Sequence, residues 1–471
     1  MMHGVLALDQ GGHASRACIF DLTGAVVAEA RVPVRTLRPA TDQIEQDPQE
    51  LLESLQQAAL QALACAPQLQ IEQAGLATQR STLVCCTRAG EPLSNALSWQ
   101  DRRNAAWLEG YGAQSARITA LTGLPLSPHY GVAKMRWCLD HLPRVQAARA
   151  RADLLLAPLA AFLVQRLTRA DARLDPANAS RTLLWDSIRR DWSDELLDLF
   201  GIDRALLPIC TPTCMDFGSL PHRGVRLTAC TGDQSAIPYA FGPPDTDTVY
   251  VNLGTGAFIQ RPQAVRPIDA APLLASVLCA DAQGVQYCVE GTVNGAGGAT
   301  SLFAAQRGAD EAELWRELEC QSDEAPLPLF LNGVGGLGSP YWRPLRSRFI
   351  GDGGPLQCFA AVVESIVFLI ALNFDAMRRS GRAPRRLIVS GGLSRSDWLC
   401  RRLAGVLQLP VVRAAVEATL RGAAALAAPE IAQQWPSLAG ETFSPELMPQ
   451  PAERYLRFRA QLEQALGSPA R

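Results

Sequence analysis

Two stretches far apart in the chain share one pattern, and it constrains the fold more than any other feature. Val5-Leu-Ala-Leu-Asp9 is an apolar run that enters Gln10-Gly-Gly-His-Ala-Ser-Arg16 and leaves through a second apolar run, Ala17-Cys-Ile-Phe20, closed by Asp21. Thr248-Val-Tyr-Val-Asn-Leu253 enters Gly254-Thr-Gly256 and leaves through Ala257-Phe-Ile259. Each reads as strand, glycine turn, strand: a hairpin whose tip presents backbone N–H groups. Just ahead of the second hairpin, Phe241-Gly-Pro-Pro-Asp-Thr has the composition of a linker. The repeat predicts an internal duplication, with one domain over 1–241 and a second over 242–471. Length agrees, because 471 residues exceed what a single hydrophobic core usually holds.

Around these landmarks helix and strand patterns alternate. Asp47-Pro48-Gln49-Glu50 supplies an N-cap, a proline at the first helical position and a glutamate at the third. Leu51, Leu52, Leu55, Ala59 and Leu63 then recur at helical spacing. Gln73-Ala-Gly-Leu-Ala-Thr78 reads as a buried strand. In the second half a long helix is expected from about Cys358 to Arg379, stopping at Gly381. The strand Leu387-Ile-Val389, the turn Gly391-Gly392 and a helix from Asp397 to Leu407 follow. Such alternation argues an α/β fold in both halves.

Composition removes several function classes. Lys+Arg number 44 against 46 Asp+Glu, a net charge of −2, and no basic stripe offers itself to nucleic acid. Lys134 is the only lysine, which excludes the Gly-Lys-Ser/Thr phosphate loop and argues against a protein-kinase arrangement. His3, His13, His129, His141 and His222 form no pair at metal-ligand spacing. The 13 cysteines are odd in number, include no Cys-x-x-Cys, and at Cys18, Cys279 and Cys358 lie in apolar runs, as buried free thiols would. The start is too short an apolar stretch for a signal peptide, and the run from Cys358 to Leu372 carries Glu364 and is too short to span a bilayer. A soluble cytoplasmic protein without a membrane or nucleic-acid partner is expected.

Four clusters carry chemistry. Asp9 ends a strand beside a glycine turn, which suits a magnesium near phosphates cradled by backbone donors. Thr231-Gly-Asp233-Gln-Ser235 puts a carboxylate in a small-residue loop, where a general base could take a proton from a hydroxyl. Gln79-Arg80 and Trp99-Gln-Asp-Arg-Arg103 gather an aromatic plate and fork-shaped donors fit for a polyhydroxylated ligand. Gly391-Gly392, with Ser394 and Ser396 opening the next helix, would let a nucleotide approach the backbone. Taken singly, each also has a plain structural reading: a capped β-turn, an Asx-turn, a core tryptophan with surface arginines, a common Gly-Gly turn.

Taken in order, they resemble the FGGY carbohydrate kinases, and within that family the glycerol kinases. Matching segments are Asp9-Gln-Gly11 with Ser15-Arg16, Glu45-Gln-Asp-Pro48, Gln79-Arg80, Trp99-Gln-Asp-Arg-Arg103, Asn178-Ala-Ser-Arg-Thr182 and Gly232-Asp-Gln234. Gly254-Thr-Gly256 with Phe258, Glu290-Gly291, Gly335-Gly-Leu-Gly-Ser-Pro-Tyr-Trp342 and Ser390-Gly-Gly392 complete the set. The resemblance implies two actin-like (ribonuclease-H-like) domains around a central cleft, with sugar bound mainly by the first and ATP mainly by the second. It also implies Asp233 as the base, Asp9 orienting Mg²⁺ through water, and Arg80, Trp99, Gln234 and Phe258 lining the substrate pocket. Gly11, Arg16, Thr255, Gly256, Gly297 and Gly392 would hold ATP.

The chain departs from the glycerol-kinase pattern in places. Gly12-His13-Ala14 stands where hydroxyl residues bond the phosphates, and Ser301 and Ser396 replace a glutamine and an asparagine near the nucleotide. Ser81 replaces a pocket glutamate and His129 a tyrosine. Arg343 and Ser390 each stand where an aspartate is usual. Two readings follow: an ATP-dependent kinase of a small polyol or ketose, or a catalytically weakened relative that binds sugar or nucleotide as a regulator. An actin-like chaperone ATPase would not need the Arg80–Trp99 cluster. The identity of the sugar, the hydroxyl phosphorylated and whether the chain forms a homo-oligomer stay open at this level.

Overall fold

The computed structural model describes residues 2–467 apart from 269, 282–283, 322–325, 380–382, 415–416, 437, 439 and 446–448. The helix stop expected at Gly381 lies outside these. Two large sheets organise the chain. The five-stranded sheet runs in the order Arg226–Gly232, Leu69–Thr78, Met2–Gln10, Ala14–Asp21, Val26–Pro33. The seven-stranded sheet places Val411–Arg413, Arg386–Ser390, Thr248–Leu253, Ala257–Gln263 and Val285–Val293 in consecutive positions. In both, a central strand turns back through a glycine hairpin into two antiparallel strands, and two parallel strands add on its other side. The expected duplication is thus visible as shared topology, with Leu274–Ala280 and Glu441–Phe443 as extra edge strands on the second sheet.

Local signals act as read, with shifts. Asp47 caps Pro48–Cys65 by accepting the N–H groups of Gln49 and Glu50. Glu50 does not close a capping box; its carboxylate turns to Arg35, whose backbone N–H and Nε it accepts. The long helix starts three residues early, at Pro355, and runs to Arg379. By length and hydropathy it could cross a membrane, but 83% of its most apolar window is buried inside the fold. Such all-round burial marks a core helix. Its Glu364 is buried and held by Arg454 at 2.6 Å.

One connection is not visible in the repeat. Helix Ala418–Ala427, from the second half of the sequence, lies on the first sheet: Leu420, Ala423, Ala424 and Ala427 pack with Val5, Ala7, Phe20 and Ala77. Only small residues permit this approach. A Cβ on Gly75 would stand 2.1 Å from the Ala423 carbonyl oxygen, and one on Gly422 would stand 1.9 Å from that of Ala236. The two halves are therefore interlocked rather than merely joined near residue 242.

Candidate active site

Three neighbouring parallel strands of the first sheet end at one level, because Gln10 pairs with Thr78 and Thr78 with Gly232. Their ends deliver Asp9, the Gln79-Arg80 pair and Asp233 to a single place. Asp233 opens the short helix Asp233–Ala236 rather than sitting in the loop the sequence suggested, and its Oδ1 accepts the Gln234 N–H at 2.7 Å. Gly232 is required here: a Cβ would come within 2.5 Å of the Arg80 Cδ, so its absence lets the arginine cross directly in front of the carboxylate. Arg80 Nε stands 3.8 Å from Asp233 Oδ1.

Burial raises the pKa of Asp233, with Arg80 pulling the other way. Asp9 is pushed up in the same sense, first by burial and further by the charge of Asp233, against the pull of Arg16. The Arg16 guanidinium grips Asp9 Oδ2 with Nε at 3.0 Å and Nη2 at 2.5 Å, and its Nη1 reaches Glu417. Asp9 Oδ1, by contrast, is buried and has no hydrogen-bond partner among the described residues. One committed and one open oxygen suit a carboxylate that holds Mg²⁺ through its water shell. No group of three or more His, Cys, Asp or Glu that could hold a metal ion occurs among the described residues.

The pocket candidates cluster on the same side. Gln79 Nε2 donates to Gln46 Oε1, and Gln46 Nε2 donates to the Gly12 carbonyl. A Cβ on Gly12 would lie 3.9 Å from the Trp99 Nε1, which places the indole beside the hairpin tip. His129 bonds through Nδ1 to the Trp99 carbonyl at 3.1 Å, and burial holds its pKa down to about 4, so the ring is neutral at physiological pH. Ser81 adopts φ 66°, in the left-handed region. Gln234 Oε1 accepts from Asn252 of the second half at 3.2 Å. Phe258 shares a face of its strand with Gln260, whose amide donates to Glu290. Arg103, read as a free fork, is instead buried against Asp101 and Glu45 and stacks over Trp137; Arg102 is exposed.

The nucleotide candidates split. Gly254, Thr255 and Gly256 form the second hairpin tip, and the N–H groups of Ala296, Gly297 and Gly298 donate to the carbonyls of Gly254 and Thr255, seating helix Gly297–Arg307 on the loop. Gly391 lies against Leu253 with φ 91°, where a Cβ would meet the Leu253 carbonyl at 2.5 Å, while a Cβ on exposed Gly392 would meet nothing within 4 Å. These turns share the ends of paired strands, since Asn252 is in register with Ser390. Gly11 and Gly12 are half-buried and His13 exposed at the first tip. Two serines are occupied elsewhere: Ser301 donates to Glu311 at 2.7 Å, and Ser396 caps Asp397–Leu407 and donates to Glu319 at 2.5 Å.

Two residues at the site went unassigned in the sequence. Glu290 takes both terminal nitrogens of Arg80, at 3.0 and 2.9 Å, and Arg181 at 2.9 Å. Lys134 donates to the carbonyls of Ser81 and His129. Glu290 lay within a matching segment without a role. The one lysine of the chain, in an apolar stretch, was the signal for the other.

Comparison with known proteins shows the family. Residues 4–250 match the model described as the FGGY family of carbohydrate kinases, N-terminal domain, and residues 249–430 match its C-terminal domain. The glycerol kinase of Leptothrix cholodnii is 34% identical over 452 residues, 90% of each chain. That of Alkalilimnicola ehrlichii is 34% identical over 475 residues, 95% of this chain and 94% of its own. Among solved structures, Plasmodium falciparum glycerol kinase with ADP superposes with a TM-score of 0.87 at 20% identity, covering 99% of this chain and 98% of that one. A Brucella ovis xylulose kinase gives 0.88 at 22% identity, covering 99% and 100%.

Proposed function

Since the chain belongs to the FGGY family of carbohydrate kinases, and is thereby an ATP-dependent kinase of a polyol or sugar, we propose that Asp233 is its general base and that the level ends of three strands form its reaction centre. The fold is the family's pair of actin-like domains. The reading as a regulator without catalysis finds no support in these relationships.

The observation that carries the assignment is the convergence of Asp9, Arg80 and Asp233 at one level of the first sheet, with the two glycine turns of the second sheet on neighbouring strand ends. The acceptor hydroxyl gives its proton to Asp233 as its oxygen bonds to the γ-phosphorus. The bond from that phosphorus to the bridging oxygen breaks, and ADP leaves with the electron pair. A carboxylate whose pKa is raised by burial is better matched to this transfer than a free one. Arg80 keeps Asp233 oriented and balances its charge. Mg²⁺ fits beside the open oxygen of Asp9, where it would offset phosphate charge. Gly11, Gly12, His13, Arg16, Thr255, Gly256, Gly297 and Gly392 would surround ATP. Ser301, one helical turn beyond Gly297, and Ser396 would approach it only by giving up their carboxylate partners.

Arg80, Ser81, Trp99, His129, Gln234 and Phe258 would hold the acceptor. Ser81 and the neutral His129 leave more room and fewer charges than a glutamate and a tyrosine would, which favours a four- or five-carbon polyol or ketose. The use of ATP and of such metabolites supports a cytoplasmic enzyme. ADP release across a panel of polyols and ketoses, with and without Mg²⁺, tests the reading; no acceptor-dependent release from any of them would remove it.

A further inference from the structure

Lys134 is the only lysine of the chain and is fully buried, the one charged residue among its largest fully buried side chains. Its ammonium donates to the Ser81 carbonyl at 3.1 Å and to the His129 carbonyl at 2.5 Å. The nearby carboxylate, Asp101, is already taken by Arg103 and by the Ile44 N–H. A buried charge without a counter-ion is costly, and an apolar side chain of similar length would fill the space with less penalty. The two carbonyls are what the ammonium serves.

Both belong to the acceptor pocket, and the contacts close into a ring. Trp99 N–H donates to Thr82 Oγ1 at 3.1 Å, the Trp99 carbonyl accepts His129 Nδ1, the His129 carbonyl accepts Lys134, and Lys134 returns to Ser81, the neighbour of Thr82. Ser81 holds φ 66°, a conformation that a non-glycine residue keeps only when its surroundings enforce it. The turn so enforced carries Arg80 toward Asp233 and Glu290.

We propose that Lys134 is a positioning residue for the acceptor substrate: it clamps the left-handed Ser81 turn and the His129 loop to each other, fixing Arg80, Trp99 and His129 around the hydroxyl to be phosphorylated. The inference rests on the assignment of those residues to the acceptor pocket. It separates polyol binding from nucleotide binding, because the bonds of the ring run among Ser81, Thr82, Trp99, His129 and Lys134 and none of those bonds goes to a glycine turn of the second sheet.

Three arms test it. Lys134→Met should raise KM for the acceptor about tenfold or more while KM for ATP stays within about threefold; Lys134→Gln, which keeps two N–H donors, should recover most of the loss. Ser81→Gly removes the backbone strain, so in that background the effect of Lys134→Met should shrink by roughly threefold or more. An equal rise in both KM values, or an equal effect in both backgrounds, overturns the clamp. The wild-type protein gives the third arm and needs no variant to fold. Burial lowers the pKa of Lys134 to about 7, with Asp101 pulling it up and Arg103 pushing it down, while His129 in the same ring sits at about 4. Charge-assisted bonds are about twice as strong as neutral ones, so acceptor KM should climb as pH rises through about 7 while ATP KM stays flat. A flat acceptor KM across that range also overturns the clamp. Arg80→Ala serves as the reference: if it leaves acceptor KM unchanged, the pocket assignment fails; if it raises acceptor KM and Lys134→Met does not, only the clamp fails.

Discussion

Arg80 and Glu290 meet as two parallel forks, Nη1 to Oε2 at 3.0 Å and Nη2 to Oε1 at 2.9 Å, across 210 residues and between the two halves of the chain. Arg181 adds a third bond to the same carboxylate, at 2.9 Å. Burial alone would raise the pKa of Glu290, but Arg181 and Arg80 overcome it and bring the group to about 2. The first half thus sends Arg80 into a socket made by the second. Any relative movement of the halves is felt by the residue that also stands 3.8 Å from Asp233.

Replacing Glu290 by Gln takes the one carboxylate shared by two buried guanidiniums and leaves Arg80 only Asp233 and Arg181 only Ser276 beside the neutral amide; breaking a buried pair of this kind costs about 3–5 kcal/mol. A lower urea midpoint is expected, together with a higher acceptor KM. The pH limb has a definite sign. A carboxylate whose folded pKa is depressed stabilises fully above its unfolded value of 4.5 and loses that contribution as pH falls toward about 2. This part of the acid limb should be missing in Glu290→Gln. Identical acid limbs would show that the pair does not carry it.

Asp233→Asn keeps the shape of the base and can still accept the Gln234 backbone N–H, but it gives up the bond from Gln234 Nε2 and cannot take the proton. Turnover should fall by about 10²–10⁴ while the acceptor still binds. Measured binding by titration against kcat separates the two. Turnover within a few-fold of wild type would take Asp233 out of the mechanism.

Gly392 tests the nucleotide assignment without touching the fold. A Cβ there meets nothing within 4 Å, so Gly392→Ala should leave the melting temperature where it is. If a nucleotide lies against that backbone, the added methyl displaces it, and a loss of about tenfold in ATP affinity is expected. Unchanged ATP KM would move the nucleotide away from this turn.

What the sequence made legible follows from range. The hairpins, the Asp47 cap and the strand ahead of Arg80 are specified by residues a few positions apart, so turn chemistry and periodicity suffice. Asp9, Arg80 and Asp233 could be singled out because each ends or follows a strand. Helix Ala418–Ala427 crossing onto the first sheet could not, because its partners, Gly75 and Ala236, lie far upstream in the sequence. Arg103 was misread for a related reason: whether a fork is free depends on Glu45 and Trp137, which only the fold brings near. Lys134 was seen only as an absence of other lysines, and its role needed the carbonyls of Ser81 and His129 to be placed.

Gly422 joins that crossing helix to the catalytic strand end. Its Cβ would stand 1.9 Å from the carbonyl of Ala236, the last residue of the short helix that Asp233 opens, and backbone on both sides leaves nothing to give. Gly422→Ala should cost about 1–3 kcal/mol by overpacking. By shifting that helix it should also lower kcat, since displacement of a reacting group by about 1 Å can cost 10²-fold. Gly405→Ala, where a Cβ meets nothing within 4 Å, is the control; better helix propensity makes it neutral or stabilising by about 0.5–1 kcal/mol. Equal behaviour of the two variants would refute the steric argument.

The proposed acceptor pocket makes Ser81 and His129 the residues to test for acceptor choice. Ser81 presents a short neutral hydroxyl beside Arg80, whose terminal nitrogens are committed to Glu290. The His129 ring is uncharged and spends Nδ1 on Trp99, leaving Nε2 as an acceptor for one substrate hydroxyl. If these partners line the acceptor site, a three-carbon acceptor leaves polar groups unpaired, and unpaired groups of that kind can cost about 10⁴-fold in discrimination. A four- or five-carbon polyol or ketose should therefore exceed glycerol in kcat/KM. Ser81→Glu restores an anion that accepts from hydroxyls and fills the added space, so it should shift the ratio back toward glycerol. Because Ser81 holds φ 66°, the readout is the ratio between two acceptors, which cancels any general loss from backbone strain. Glycerol as the best substrate of the panel, or a ratio unmoved by Ser81→Glu, would show that these two residues do not set the choice.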